Sequence, residues 1–227
     1  MIGNTSSSFR QVTTGVPQGS VLGPLFLVYI NDLSDCLNHC EVSLFADDTA
    51  IYCSTSTVDE LEMKLNEDLT NIRKWLDMHK LTLNVAKSKL MIIGGHQRLK
   101  NVESINLGIN QQSLEKANNF KYLGVIINEN LNLADHVDYV QSKVSRRLGI
   151  LKRIRHLLPT KTREIVFNTL ILPILDYGDI VWGDRSNITL MNRLQVQQSK
   201  VAKIILNLPI SSSSSSALEV LGWKSLE

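Results

Sequence analysis

Cysteine is scarce in this chain: three residues, Cys36, Cys40 and Cys53, in 227. So sparse and odd a set is no disulfide framework, and a reducing compartment is the default. Cys36, His39 and Cys40 contain no CxxC pair and no second cluster follows, so the closed set of four that structural zinc needs is missing. Long apolar runs are missing as well. The longest, Val21 to Ile30, is ten residues with Gly23 and Pro24 inside it, about half of what a bilayer span requires. With no basic, apolar, small-residue leader at the N-terminus, the chain is expected to be soluble, not secreted and without a transmembrane segment. Positive charge is nearly absent from residues 1 to 50, where Arg10 stands against Asp32, Asp35, Glu41, Asp47 and Asp48, a net of −4. The chain carries +2 in all, so the other 177 residues carry +6. Negative charge, in turn, is absent from Lys143 to Arg163. An acidic head on a basic body is the pattern of a cation site beside a polyanion-binding surface.

What is present is ordinary for a globular protein. Hydrophobic residues at 43% with 20% charged exclude wholesale disorder and fibrous repeats. The length allows one large domain or two small ones, with roughly 70 to 75% of the unfolded surface buried.

A polar start runs through Asn4 to Ser8 into Gly15-Val16-Pro17-Gln18-Gly19-Ser20, a turn-dense segment excluded from a helix interior. Val21 to Leu33 is apolar nearly all round and predicts a buried helix, with Pro24 near its first turn. Glu41 to Cys53, β-branched and aromatic around Asp47-Asp48, predicts two short strands and a tight turn. Val58, Leu61, Leu65, Leu69, Ile72 and Leu76 then recur at three or four residues, the period of an amphipathic helix. Leu81 to Ile93 reads as a strand ended by Gly94-Gly95, and Ser104 to Ile109 and Phe120 to Ile127 as further extended runs. From Asp135 the pattern is helical, with Val137, Val140, Val144, Leu148 and Leu151 in one stripe. Helices follow over Thr160 to Leu172, stopped by Pro173, and Asn187 to Leu206, stopped before Pro209. Ser211 to Ser216 is expected to be a flexible linker, and Ala217 to Glu227 an amphipathic start that ends before it can pack. The fold class is α+β: mixed helices and short antiparallel strands, then an all-helical region.

Asp47-Asp48 is the sharpest local feature. Two like charges 4 Å apart repel by about 1 kcal/mol in water and about 4 at a protein-surface dielectric. A divalent cation reverses that sign, and Mg²⁺ is commonly held by one or two carboxylates plus phosphate oxygens. Aspartate is also favoured in turns for its own sake, so the pair alone does not decide. The Gly15 to Ser20 loop lets a flat partner approach the backbone and offers Gln18 as donor and acceptor, and it lacks the Gly-Lys-Ser/Thr ending of a phosphate loop. Lys143, Arg146, Arg147, Lys152, Arg153, Arg155, Lys161 and Arg163 exceed what complementing one helix dipole needs, which weighs nucleic-acid contact against a solvated face. Lys87 and Lys89, beside Asn84, form a smaller basic spot.

Taken in order, these segments resemble the reverse transcriptases of non-LTR retrotransposons, the jockey-like ones in particular. Gly15 to Pro24 followed by Tyr29-Ile30-Asn31-Asp32-Leu33 resembles the family's template- and nucleotide-contacting loop and helix. Phe45-Ala46-Asp47-Asp48 is similar to its metal-binding hairpin, Asn84-Val85-Ala86-Lys87-Ser88 to its next palm motif, and Phe120-Lys121-Tyr122-Leu123-Gly124 to its primer-gripping hairpin. Leu170 to Trp182, with Asp176-Tyr177 and Val181-Trp182, resembles the helical thumb and the segment after it.

The resemblance implies an RNA-directed DNA polymerase using two divalent ions, Mg²⁺ or Mn²⁺, to activate the primer 3′ hydroxyl and stabilise the departing pyrophosphate. It implies Asp47 as principal metal ligand and Asp48 as supporting one; Pro17, Gln18, Gly19, Ser20, Phe45 and Lys87 at the nucleotide and template; and Phe120, Lys121, Tyr122, Leu123 and Gly124 at the primer. Lys143, Arg146, Arg147, Lys152 and Arg153 follow the nucleic-acid backbone without reading sequence. The implied partners are an RNA template, a DNA primer and deoxynucleoside triphosphates, with no membrane. The implied division is a partial palm with primer grip over residues 1–130, a thumb-like region over 131–210, and a linker with the truncated start of a further segment over 211–227. The family's first catalytic aspartate, expected upstream of the Gly15 loop, and its fingers are missing, so the chain is expected to be inactive alone. Gly23 to Leu27 is one apolar residue short of the pattern, which in a helix turns later side chains by about 100°, so local distortion is expected there. The alternatives are a non-catalytic remnant that holds primer-template duplex, and an α+β fragment with no function.

Overall fold

The structure, a computed structural model, describes residues 8, 19–100, 102, 105–109, 112–183 and 188–224. Along the chain these form α1 (Leu22–Ile30), β1 (Glu41–Phe45), β2 (Asp48–Tyr52), α2 (Val58–Met78), β3 (Lys89–Leu90), α3 (His96–Lys100), β4 (Gly108–Ile109), β5 (Gln112–Ser113) and β6 (Glu115–Lys116). There follow β7 (Asn119–Tyr122), β8 (Val125–Asn128), α4 (Ala134–Ile154), α5 (Thr160–Leu170), α6 (Leu172–Asp176), α7 (Asp179–Trp182), α8 (Ile188–Ile205) and α9 (Ser214–Val220). Mixed helices and small antiparallel pairs agree with the α+β expectation at that level. None of the described helices is long and apolar enough to cross a membrane. The chain divides into two compact units, residues 1–89 with 101–115, and residues 90–100 with 116–227.

In the first unit, α2 begins at a Thr-x-x-Glu sequence, where the Thr57 side chain accepts the Glu60 N–H at 3.4 Å and so satisfies one of the helix's orphan donors. Leu69, Ile72 and Trp75 on its inner face are buried, as are Ile30, Leu33, Leu107 and Ile109. Each such side chain contributes roughly 1.5 to 3 kcal/mol relative to exposure. β1 and β2 form the expected antiparallel hairpin, with Phe45 opposite Asp48 and Glu41 opposite Tyr52.

Helix α1 overturns the expectation of a buried helix. Ile30 is its one buried residue, while Val21 just before it is 89% and Val28 is 73% exposed. A helix apolar on all sides can lay only one stripe against a single layer. It meets the 3₁₀ turn Asn31–Cys36 and, through the Tyr29 hydroxyl donating to His79 O at 2.7 Å, the end of α2. The distortion expected after Pro24 is not in the helix either, for α1 is unbroken through Leu27 and tightens only beyond Ile30. Leu81 to Ile93 is likewise not one strand. The Asn84 carbonyl accepts the N–H groups of Lys87 and Ser88 at 3.1 and 3.2 Å, turning the chain, and only Lys89–Leu90 stays extended as strand.

In the second unit, Val137, Val140, Val144, Leu148 and Leu151 of α4 form the expected buried stripe. They pack with Val125, Phe167, Ile171, Trp182, Met191, Leu194, Val201 and Ile205 in one core. Pro173 does not stop a helix at Leu172 as expected. Instead α5 ends at Leu170 and Pro173 lies in the first turn of α6, where a missing N–H costs nothing. The serine tract is not a linker in the structure. Ser213 caps α9 by accepting the Ser216 N–H at 3.4 Å, and Ala217 and Leu218 are buried beside Ala202, Leu206 and Leu208. Serine is a poor helix-interior residue but a strong cap, and two apolar residues after it suffice to anchor the turn.

Candidate functional site

The Asp47-Asp48 hairpin is fixed from below by a residue the sequence reading passed over. Asp68, fully buried on α2, accepts backbone N–H groups from Asn38, His39 and Cys40 at 2.8, 2.9 and 2.7 Å. Burial raises its pKa, but those bonds together outweigh it and hold the carboxyl below the usual aspartate range. The chain therefore enters β1 at a set point. One signal was available: Asp68 sits at helical spacing from Ile72 and Trp75, a carboxylate on an otherwise apolar face.

At the far end of the hairpin, Ala46 and Asp47 form a two-residue turn, with Ala46 at a φ of 53°. Phe45, Asp47 and Asp48 are all exposed. Among the described residues no lysine, arginine or histidine pairs with either aspartate, and no group of three histidine, cysteine, aspartate or glutamate side chains is gathered. The cysteines are free, and burial with the neighbouring Asp68 pushes the Cys40 thiol well up, an unreactive state.

Of the loop residues expected at the nucleotide, Pro17 and Gln18 lie outside the described residues. Gly19 adopts a φ of 78° and leads, through Ser20, into α1. Lys87 is exposed on the turn built on Asn84. Lys89 is engaged by Glu115. An open cavity of about 530 Å³ lies over Thr82 to Ala86 and Gln112.

The other expected residues belong to the second unit. β7 and β8 are joined by Leu123-Gly124, both with positive φ, 44° and 87°, the demand of a type I′ turn. Tyr177 lies over that turn, its hydroxyl donating to Leu123 O at 2.8 Å, while Trp182 Nε1 donates to Tyr177 O at 2.8 Å. A Cβ on Gly124 would stand 2.7 Å from Tyr177 Cε1, so only glycine fits. On the helix side, buried His136 accepts the Ile126 N–H through Nδ1 at 3.1 Å. Burial, then Lys121 and Lys143, lower its pKa, so the imidazole is held neutral. Lys121 donates to the Tyr139 hydroxyl at 2.8 Å, and the Nζ atoms of Lys121 and Lys143 lie 4.7 and 4.5 Å from the centre of the Tyr139 ring.

At about 100° per residue, Tyr139, Lys143, Arg146 and Arg153 share one stripe of α4. Two expected backbone contacts are placed elsewhere. Arg147 donates to Leu170 O, closing the C-terminal turn of α5. Lys152, nine residues beyond Lys143, comes out on the opposite side of the helix. Phe120 and Lys121 are exposed on β7 and Tyr122 is half-buried. Sequence reasoning missed Tyr139 and named Tyr177 only within the thumb-like motif; Tyr139 was legible as the residue four before Lys143 on its stripe, whereas nothing local marks Tyr177 as the partner of a turn 54 residues earlier.

The family described as reverse transcriptase (RNA-dependent DNA polymerase) matches residues 1–127. The chain is 29% identical over 222 residues to a probable RNA-directed DNA polymerase from transposon BS of Drosophila melanogaster, covering 91% of this chain and 24% of that protein. It is 26% identical over 215 residues to the RNA-directed DNA polymerase from mobile element jockey of the same organism, covering 89% and 23%. A retrovirus-related Pol polyprotein from the type-1 retrotransposable element R1 of Bradysia coprophila is 26% identical over 187 residues, covering 80% and 18%. The chain thus spans about a quarter or less of these relatives. No solved structure matches it. On the family match over more than half its length, with relatives such as the RNA-directed DNA polymerases of transposon BS and of mobile element jockey, the chain belongs to the reverse transcriptase family of non-LTR retrotransposons.

Proposed function

We propose that this chain carries the metal edge and the duplex-holding helix of an RNA-directed DNA polymerase, acting on an RNA template, a DNA primer and deoxynucleoside triphosphates. Residues 1–130 serve as part of the palm with the primer grip, and residues 131–210 as the thumb. The observation that carries this reading is the hairpin tip, where Asp47 in the turn and Asp48 at the start of β2 are both exposed, with no cationic side chain bonded to either among the described residues. Two adjacent hard-oxygen ligands with open approach suit Mg²⁺ or Mn²⁺, with Asp47 the principal ligand and Asp48 the supporting one. When bound, the ions supply the charge that activates the primer 3′ hydroxyl and stabilises the departing pyrophosphate. Asp68 sets the height of the hairpin, Pro17, Gln18, Gly19, Ser20 and Phe45 take the nascent base pair, Lys87 faces its phosphates, and the Phe120 to Gly124 hairpin, latched by Tyr177, positions the primer. Two-metal transfer also needs a bridging carboxylate beyond this pair, and among the described residues no third histidine, cysteine or acidic side chain gathers with Asp47 and Asp48.

The test joins to this chain the segment that precedes the matching region in a relative, and measures Mg²⁺-dependent primer extension. Extension is expected, and Asp47→Ala is expected to reduce it to background. No extension by the joined chain, or undiminished extension by Asp47→Ala, refutes the assignment.

A second reading, duplex binding without catalysis, is favoured by the stripe Lys143, Arg146 and Arg153. Removing Arg146 and Arg153 together should lower the salt slope of duplex binding by about two, close to one for each phosphate no longer neutralised, whereas Arg147→Ala leaves it in place. Equal slopes in all three proteins remove this reading.

A further inference from the structure

We propose that Lys121, Tyr139 and Lys143 form one seat for a phosphodiester oxyanion, in which the Tyr139 hydroxyl is the hydrogen-bond donor and the two ammonium groups are the counter-charge. The seat deepens the duplex-holding reading, on which the identity of its natural ligand rests.

Three features of the geometry make the seat. Lys121, on β7, donates to the Tyr139 oxygen at 2.8 Å, so that oxygen's own proton is left to be given to something else. Both ammonium groups lie over the same ring, at 4.7 and 4.5 Å, where each is attracted by the ring's negative face but repels the other. An anion placed between them removes that repulsion. Among the described residues no carboxylate pairs with either lysine. The flanks add no opposing charge: His136, one turn before Tyr139, is buried and held neutral, and Asp138 is engaged by Arg193 of α8. The stripe through Arg146 and Arg153 continues from the seat along α4, so a backbone lying on the helix ends at the hairpin.

This chemistry is linked to a proton. The hydrogen bond from Lys121 first, and Lys143 second, outweigh burial and bring the Tyr139 phenol down to about 8. A phenolate has no proton to donate and cancels one of the two lysine charges, so the oxyanion binds only the neutral form. From one unit below that pKa to one unit above it, affinity should fall about tenfold, since each unit above the pKa costs one factor of ten in the neutral fraction. Tyr139→Phe keeps the lysines but lacks the titrating group.

Two measurements on the full chain test the seat. In the first, tyrosine labelled with ¹³C at Cζ is titrated by NMR with Tyr139 identified from Tyr139→Phe, with and without inorganic pyrophosphate. A midpoint near 8 that rises with pyrophosphate supports the seat, and an ordinary phenol midpoint, or one that pyrophosphate does not move, overturns it. In the second, affinity for a fluorescent RNA–DNA duplex is measured across the same pH window at constant ionic strength. The parent should lose about tenfold and Tyr139→Phe less than about twofold; equal losses overturn the seat while leaving the stripe standing. No duplex binding together with a pyrophosphate-induced shift overturns the duplex reading and supports the seat for a smaller phosphate.

Discussion

Replacing Gly124 by alanine tests whether the second hairpin is held by Tyr177. The added Cβ falls 2.7 Å from Tyr177 Cε1 and 3.2 Å from both Cζ and the hydroxyl oxygen, at a φ of 87°. A non-glycine residue in the left-handed region costs roughly 1 to 2 kcal/mol by itself. The ring must also move, and its hydroxyl then loses the bond to Leu123 O, worth about 0.5 to 1.5 kcal/mol. Gly124→Ala should therefore cost about 2 to 3 kcal/mol. Urea unfolding followed by circular dichroism reads this, but a single number would not separate the backbone cost from the collision. Repeating the substitution in a Tyr177→Ala background does so, because with the ring gone only the backbone cost remains. The two substitutions should then couple by about 1 kcal/mol, as neighbours sharing a contact do. A cost for Gly124→Ala under about 0.5 kcal/mol, or the same cost in both backgrounds, would show that Tyr177 does not latch the turn.

Asp68→Ala strands three backbone N–H groups and should destabilise the first unit by about 3 kcal/mol, at 1 kcal/mol or more per unsatisfied donor; an unchanged urea midpoint would contradict the anchoring role. Because the Asp68 carboxyl is held below its ordinary value, the stability it gives is present above the unfolded pKa of about 3.9 and is lost as pH falls through the lower folded value. For His136 the direction is set by a lowered pKa on a basic group. The unfolded chain takes a proton near pH 6.5 that the folded one refuses, so the second unit should weaken as pH falls below about 6.5. Hydrogen exchange at the Ile126 amide follows this, and protection that does not change on acidification would refute it.

Period carried much of the fold. The spacing of Val137 to Leu151 and of Leu69 to Ile72 marked helices whose buried faces are those residues, and the β-branched runs around Asp47-Asp48 marked the first hairpin. The second hairpin was expected from the family resemblance alone, since residue pattern gave Phe120 to Ile127 as one extended run, which the structure folds back at Leu123-Gly124. What escaped were places where a local signal has two readings. Pro173 stops a helix or starts one, and which it does depends on where α5 ends. A serine tract is a linker unless its last members find an apolar anchor, as Ala217 and Leu218 do against α8. Apolar character in Val21 to Ile30 reports affinity for a partner surface, not the presence of one, so burial was overestimated there. Of the candidate site, Asp47 and the α4 bases were legible from residue type and spacing, and Lys121 only through the family resemblance. The residues that orient them, Asp68, His136 and Tyr177, act across 10 to 54 positions, and their partners are largely backbone atoms, which leave no mark on sequence.

The anchoring of β1 by Asp68 has a consequence for the order in which the chain becomes competent during synthesis. The amides that Asp68 holds belong to residues made 28 to 30 positions earlier. At about 5 to 20 residues per second, Asn38 to Cys40 wait one to several seconds with their donors turned to water. Only when α2 has emerged and wound far enough to present its inner face can the hairpin settle at its final height. The acidic edge, early in the sequence, is therefore among the later parts of its unit to take shape, and a ribosome paused within α2 would carry both aspartates on an unanchored loop.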